Sequence, residues 1–156
     1  DYIKSARIVQ FVAVGNTIPV ALDGAFKFNE IGIKAVAGTI WETQLAFSLS
    51  LGRDDVLIAI SNSGESRQVV KMVQQAGKNN VITIGITNNP NSTVGRCVDY
   101  HIQTATREKL FLNEICFSRV SAMTVIEVIY LFLTVGQERS YDRMSRCESL
   151  IADEKL

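Results

Sequence analysis

The chain has few of the groups that build metal sites and disulfide frameworks. Its 156 residues include one histidine and three cysteines, Cys97, Cys116 and Cys147. An odd number of cysteines without metal-type spacing leaves structural zinc short of ligands and disulfides short of pairs. We therefore expect reduced thiols, a cytoplasmic location, and neither a metal nor a cofactor.

An excess of charge of one sign is also lacking. The sequence has 16 Lys and Arg residues against 16 Asp and Glu residues, so its formal net charge is zero. A protein surface that binds nucleic acid needs clustered positive charge, and no basic cluster stands out. We therefore do not expect this chain itself to bind DNA.

Long uninterrupted hydrophobic runs are absent as well. The longest apolar stretch, residues 120–135, is interrupted by Glu127 and is short for a membrane span. We expect it to form a buried or interface helix, and we expect no membrane contact. With 47% apolar and 21% charged residues, the chain has the composition of one folded domain.

The alternation of predicted strands and helices indicates the fold class. Because each strand is followed by a helix, the strands must pair in parallel through right-handed crossovers, with helices on both faces. We predict an α/β fold, a three-layer, doubly wound, five-stranded parallel sheet of the flavodoxin-like type. The predicted strands are 7–14, 33–37, 55–60, 81–86 and 98–103, and the main helices are 18–31, 41–51, 66–76 and 114–135.

The most informative segment follows the third strand. The apolar run 56–60 leads into Ser61, Ser63 and Ser66 with Gly64 among them, and a helix follows. Such a strand–turn–helix directs backbone N–H groups and the positive end of the helix dipole at one spot, where serine hydroxyls can donate to phosphate oxygens. We therefore predict a phosphate cradle over 61–66, with helix capping by a serine as the alternative.

Other polar residues are expected at the same edge of the sheet. The turn Gly15-Asn16-Thr17 follows the first strand, and Glu108 follows the fifth, although a solvated carboxylate is the alternative for Glu108. The glycine pattern of dinucleotide-binding turns and the Walker pattern are both absent, which disfavours nucleotide cofactors. His101 lies within the fifth strand, so we expect it to be structural.

With this layout, residues 5–135 resemble the sugar isomerase (SIS) domain, and most closely the C-terminal effector domain of RpiR-type bacterial transcription regulators. The serine loop is similar to that family's phosphosugar loop, and the first turn differs from its usual pattern because Ala13 stands in place of a glycine. The segments that carry the resemblance are 55–66, 81–92, 15–17 with Asp23 and Lys27, and the more regulator-like 106–108 and 118–119.

The resemblance implies that the chain binds a sugar phosphate. The three serines of the loop would bind the phosphate, while Asn62, Gly64 and Glu65 would supply loop geometry and backbone donors. The first turn would contact the sugar or the phosphate, and Glu108 would face the sugar hydroxyls, with help from a neighbouring subunit.

The resemblance also implies a larger architecture. Residues 1–136 would form the SIS domain, and 137–156 a helical tail. The first six residues look like the end of a helix, so we expect the natural protein to extend upstream into a helix-turn-helix domain that makes all contacts with DNA. The apolar helix 114–135 would mediate a homodimer or homotetramer.

A catalytic alternative is a single-domain aldose–ketose phosphosugar isomerase. That chemistry requires a base that moves a proton between adjacent carbons, and often an acid that opens the ring. Glu108 is the best candidate base, and Glu114 is a weaker one. Because no convincing acid–base pair is present, we favour a sensor without catalytic residues.

Overall fold

A computed structural model of the chain describes residues 1–104, 118–135 and 138–152. Within these residues the strands form one parallel sheet in the order β2-β1-β3-β4-β5, which confirms the predicted fold class. The chain moves outward from β1 to β2 and then crosses back to β3, so strand order reverses between β1 and β3. The strands are β1 Val9–Ala13, β2 Ala35–Ala37, β3 Val56–Ile60, β4 Ile82–Thr87 and β5 Tyr100–Gln103.

Helices cover both faces of the sheet, as the alternation of elements predicts. Side chains of successive strand residues point to opposite faces, so Phe11 packs beneath α2 and α6 while Val12 packs beneath α4. Phe11 meets Phe28 of α2 edge-on, with ring centroids 5.0 Å apart. The helices are α1 Tyr2–Ser5, α2 Ile18–Glu30, α3 Trp41–Ser48, α4 Arg67–Lys78, α5 Thr93–Cys97, α6 Ser118–Thr134 and α7 Glu138–Ala152.

Two helices differ from the expectation based on local pattern. The sequence predicts that α4 ends at Ala76, before Gly77, but the helix continues to Lys78, and the left-handed residue beyond it is Asn80. The buried face of α4 outweighs the small cost of a glycine in a helix. In α3 the spacing predicts a face of Leu45, Leu49 and Ser48. The structure buries Ser48 and also Gln44, whereas Leu49 is exposed.

The α6 helix has one buried face and one exposed apolar face. It packs onto α2, where Glu127 Oε2 lies 2.8 Å from Lys27 Nζ. Among the described residues, no helix is both long enough and apolar enough to cross a membrane. The exposed apolar residues along α6 and directly after it are Val120, Met123, Val128, Leu131, Phe132 and Val135.

Candidate functional site

Two turns meet where strand order reverses, at the carboxyl ends of β1 and β3. β1 leads into a short 3-10 turn, Gly15–Thr17, which begins with Gly15 at φ +62°. The Thr17 hydroxyl lies 3.0 Å from the Val14 carbonyl oxygen and 3.3 Å from the Ile60 carbonyl oxygen. The buried threonine thus ties this first turn to the end of β3, and Gly15 and Asn16 are the exposed residues of the turn.

The serine loop, residues 61–66, is folded against the segment between β4 and α5. The Asn88 N–H donates to the Asn62 carbonyl at 2.8 Å, and the Val94 N–H donates to the Gly64 carbonyl at 2.9 Å. Gly64 has φ +69°, and a Cβ added to it would overlap Ser92 Oγ and lie 2.5 Å from Ser92 Cβ. The loop therefore requires glycine at position 64 for both backbone conformation and space.

Glu65 holds the loop to α5. Its carboxylate accepts the Thr93 N–H at 2.9 Å and the Thr93 hydroxyl at 2.6 Å. These hydrogen bonds to the charged form lower the pKa of Glu65. The side chain of Glu65 thus fixes the loop to the first residue of α5.

The three serines of the loop differ in their surroundings. Ser63 is exposed, and its hydroxyl accepts the Glu65 N–H at 3.3 Å. Ser66 is the N-cap of α4, yet its side chain makes no capping hydrogen bond. Ser61 is only 5% exposed, and within the described part of the chain neither its hydroxyl nor that of Ser66 is bonded to another residue. Among the described residues, the hydroxyls of Ser61 and Ser66 therefore make no hydrogen bond that would compete with a ligand.

The first turn of α4 adds backbone donors beside these hydroxyls. The first helical hydrogen bond runs from the Val70 N–H to the Ser66 carbonyl. The N–H groups of the three residues between them have no partner within the helix, and the positive end of the helix dipole lies there. Uncharged donors of this kind can bind an anion.

His101 lies beside the end of β4, outside both the first turn and the serine loop. Its Nε2 atom lies 2.8 Å from the hydroxyl oxygen of Thr87, the last residue of β4. The same hydroxyl oxygen accepts the Asn89 N–H at 3.1 Å and lies 2.9 Å from the Asn89 carbonyl oxygen. Partial burial lowers the pKa of His101. The contact stabilises the turn after β4, against which the serine loop packs.

Two candidate carboxylates, Glu108 and Glu114, lie outside the described residues. Over the ranges that the structure does describe, no three His, Cys, Asp or Glu side chains come together as metal ligands. Sequence reasoning missed Ser92, which packs against Gly64, and Thr93, which donates two hydrogen bonds to Glu65. The sequence signal for them was the helix-capping pattern at residues 92–95, where Ser92 caps α5 by accepting the Gly95 N–H.

Comparison with known proteins gives concordant matches. An uncharacterized HTH-type transcriptional regulator of Clostridium perfringens is 30% identical over 130 residues, which are 83% of this chain and 47% of that protein. The chain thus spans about half the length of the curated relatives it matches.

Solved structures share the fold. The Vibrio vulnificus NanR protein complexed with ManNAc-6P superposes with a TM-score of 0.87 at 19% identity, over 97% of this chain and 58% of that one. The sugar isomerase domain of an RpiR transcription factor from Sphaerobacter thermophilus gives a TM-score of 0.83 at 23% identity, over 95% and 82% of the two chains. The family model described as the SIS domain matches residues 2–132. The chain therefore belongs to the SIS domain family.

Proposed function

We propose that this chain is the effector domain of a cytoplasmic RpiR-type transcription regulator, and that it binds a sugar phosphate without converting it. The observation that carries the proposal is the pair of uncommitted hydroxyls, Ser61 and Ser66, beside the N-terminus of α4. Support comes also from a relative that is named an HTH-type transcriptional regulator, and from a fold shared with the NanR protein complexed with ManNAc-6P.

The phosphate would be bound by neutral donors. The hydroxyls of Ser61, Ser63 and Ser66 and the N–H groups of the first turn of α4 can each donate to a phosphate oxygen. A hydrogen bond to a charged group is worth about 1.5–3 kcal/mol, so three or four of them suffice for specific binding of a dianion. The sugar would extend toward Gly15 and Asn16, the exposed residues of the first turn.

The regulator would act as a dimer formed through α6. A folded domain rarely leaves a row of exposed apolar side chains along a helix in water, and Phe132, near the C-terminal end of α6, is 74% exposed. Leu22 and Phe26 on the neighbouring α2 are exposed too. A dimer would set the spacing of two upstream helix-turn-helix domains, and a dimeric regulator of that type reads two DNA half-sites.

The oligomer is tested with one charged substitution in the apolar face and one outside it. Phe132→Glu should convert the dimer into monomers, because the carboxylate would be buried unpaired in the interface. Ile40→Glu is the matched control, since Ile40 is 60% exposed between β2 and α3. Sedimentation velocity reports the outcome. A wild-type monomer, or equal effects of both substitutions, would contradict an α6 dimer.

Ligand binding is tested by calorimetry and thermal shift with a panel of hexose and amino-sugar 6-phosphates that includes ManNAc-6P. Each is compared with its free sugar and with inorganic phosphate. A ligand that binds only the folded state raises the melting temperature. We expect Ser61→Ala and Ser66→Ala each to weaken binding by about 1.5–3 kcal/mol. Ser50→Ala is the control, because Ser50 is exposed and its hydroxyl donates to the Phe47 carbonyl.

Two results would overturn the proposal. If Ser61→Ala, Ser63→Ala and Ser66→Ala all leave the affinity unchanged, the loop does not bind the phosphate. If the protein interconverts an aldose phosphate and a ketose phosphate, and Glu108→Gln abolishes the turnover, the chain is an isomerase.

A further inference from the structure

β2 is too short to pair with the end of β1. Its last residue, Ala37, lies opposite Phe11, so the ladder stops before Ala13. Backbone N–H and C=O groups of a strand alternate in direction, and the Val9 N–H points toward β2, where it bonds to the Lys34 carbonyl. Ala13, four residues later, faces the same side and is fully buried. Leaving both its backbone groups unpaired would be costly.

The side chain of Gln44 pairs with both groups. Its Oε1 accepts the Ala13 N–H at 3.0 Å, and its Nε2 donates to the Ala13 carbonyl at 2.9 Å. A primary amide offers the same donor and acceptor as a peptide group. Gln44, on α3, therefore replaces the missing residue of β2.

A small polar cluster fixes the Gln44 backbone in turn. Gln10 Nε2 donates to the Gln44 carbonyl at 2.7 Å, and the Ser48 hydroxyl lies 2.9 Å from both that carbonyl and Gln10 Oε1. All three residues are at most 2% exposed. A well-satisfied buried cluster of this kind holds one geometry.

We propose that Gln44 is a positioning residue for the first turn of the ligand site. The turn Gly15–Thr17 begins two residues after Ala13, and on its other side Thr17 is tied to the Ile60 carbonyl. Gln44 holds the β2 side of the same segment. Beyond the Thr17–Ile60 hydrogen bond at its start, the serine loop is anchored by other contacts, through Gly64 and Glu65. The inference rests on the proposed function, and it assigns Gln44 to recognition of the sugar rather than of the phosphate.

The first test needs no ligand. Gln44→Met removes both hydrogen bonds to Ala13 at similar side-chain length, whereas Ser48→Ala disturbs the same buried cluster and leaves them in place. By NMR hydrogen exchange, we expect the Ala13 amide to exchange about tenfold faster in Gln44→Met than in wild type, and at the wild-type rate in Ser48→Ala. The resonances of residues 15–17 should shift in that variant while those of 61–66 stay unchanged. Unchanged Ala13 exchange, or equal shifts of residues 15–17 in both variants, would overturn the inference.

The second test separates sugar from phosphate. The probe is ManNAc-6P or whichever sugar phosphate of the panel wild type binds most tightly. In Gln44→Met its dissociation constant should rise about tenfold, that of inorganic phosphate should change less than about twofold, and Ser48→Ala should leave both near wild type. Equal weakening of both ligands would mean that Gln44 acts on overall stability, against the inference. If wild type binds neither inorganic phosphate nor any sugar phosphate of the panel, the proposed function fails while the NMR result still decides the role of Gln44.

A second variant covers the case in which Gln44→Met does not fold. Gln44→Asn keeps a buried amide but is one methylene shorter, so it cannot reach both Ala13 atoms. It should reproduce the shifts at residues 15–17 and the selective loss of affinity for the sugar phosphate. Wild-type behaviour of Gln44→Asn in both measurements would count against the inference.

Discussion

The substitution Gly64→Ala measures how rigidly the serine loop is held. Gly64 has φ +69°, which costs an L-residue about 1–2 kcal/mol. The new Cβ would also overlap Ser92, whose Cβ would be only 2.5 Å away. Overpacking of this kind typically adds about 1–3 kcal/mol. We therefore expect Gly64→Ala to lower the free energy of unfolding by about 2–5 kcal/mol in total.

Gly15→Ala separates the two contributions. Gly15 has φ +62°, but a Cβ there would find no atom within 4 Å. It should therefore cost only the conformational part, about 1–2 kcal/mol. The difference between the two variants, measured by urea unfolding under circular dichroism, isolates the contact with Ser92.

A third variant identifies the clashing partner. Ser92→Gly removes the side chain that the new methyl would meet, so in the Gly64→Ala background it should recover part of the lost stability. If Gly64→Ala and Gly15→Ala lower the free energy of unfolding equally, within about 0.5 kcal/mol, the argument is refuted. The segment between β4 and α5 would then move away from the new methyl group at no cost in stability.

Three further predictions concern stability. Gly77→Ala, in a part of α4 where a Cβ meets nothing within 4 Å, should raise the free energy of unfolding by about 0.5–1 kcal/mol; a loss of stability in the urea curve would contradict this. Because the pKa of Glu65 is lowered, its hydrogen bonds to Thr93 stabilise the fold at a pH above 4.5, the ordinary pKa of a glutamate. This stabilisation is lost as the pH falls through the lower pKa of Glu65 in the folded state. Thr93→Val should therefore flatten the pH dependence of the melting temperature below about pH 4.5, and an unchanged slope would count against the Glu65–Thr93 contact. Phe28→Ala should cost about 3–5 kcal/mol, because a fully buried ring against Phe11 leaves a cavity; a cost under about 1 kcal/mol would mean that α2 collapses onto the sheet.

The parallel sheet and the location of the serine loop were predictable because their signals are local. Hydrophobic runs of strand length, helical periodicity and the glycine–serine turn after β3 each occupy a few consecutive residues. The alternation of strands and helices then restricts the topology to a doubly wound sheet. Helix ends were less predictable, as Gly77 illustrates, because tertiary packing outweighs the preference of one residue.

The sequence by itself determined the fold class and the place of residues 61–66 at the carboxyl edge of the sheet. Only the tertiary structure decided how that loop and the first turn are held. Glu65 meets Thr93 28 residues later, and Gln44 meets Ala13 31 residues earlier, and neither pairing has a local signal. Such contacts depend on strand order and on where β2 stops, because the backbone groups that a short strand leaves unpaired must be satisfied by whatever side chain the fold brings within reach.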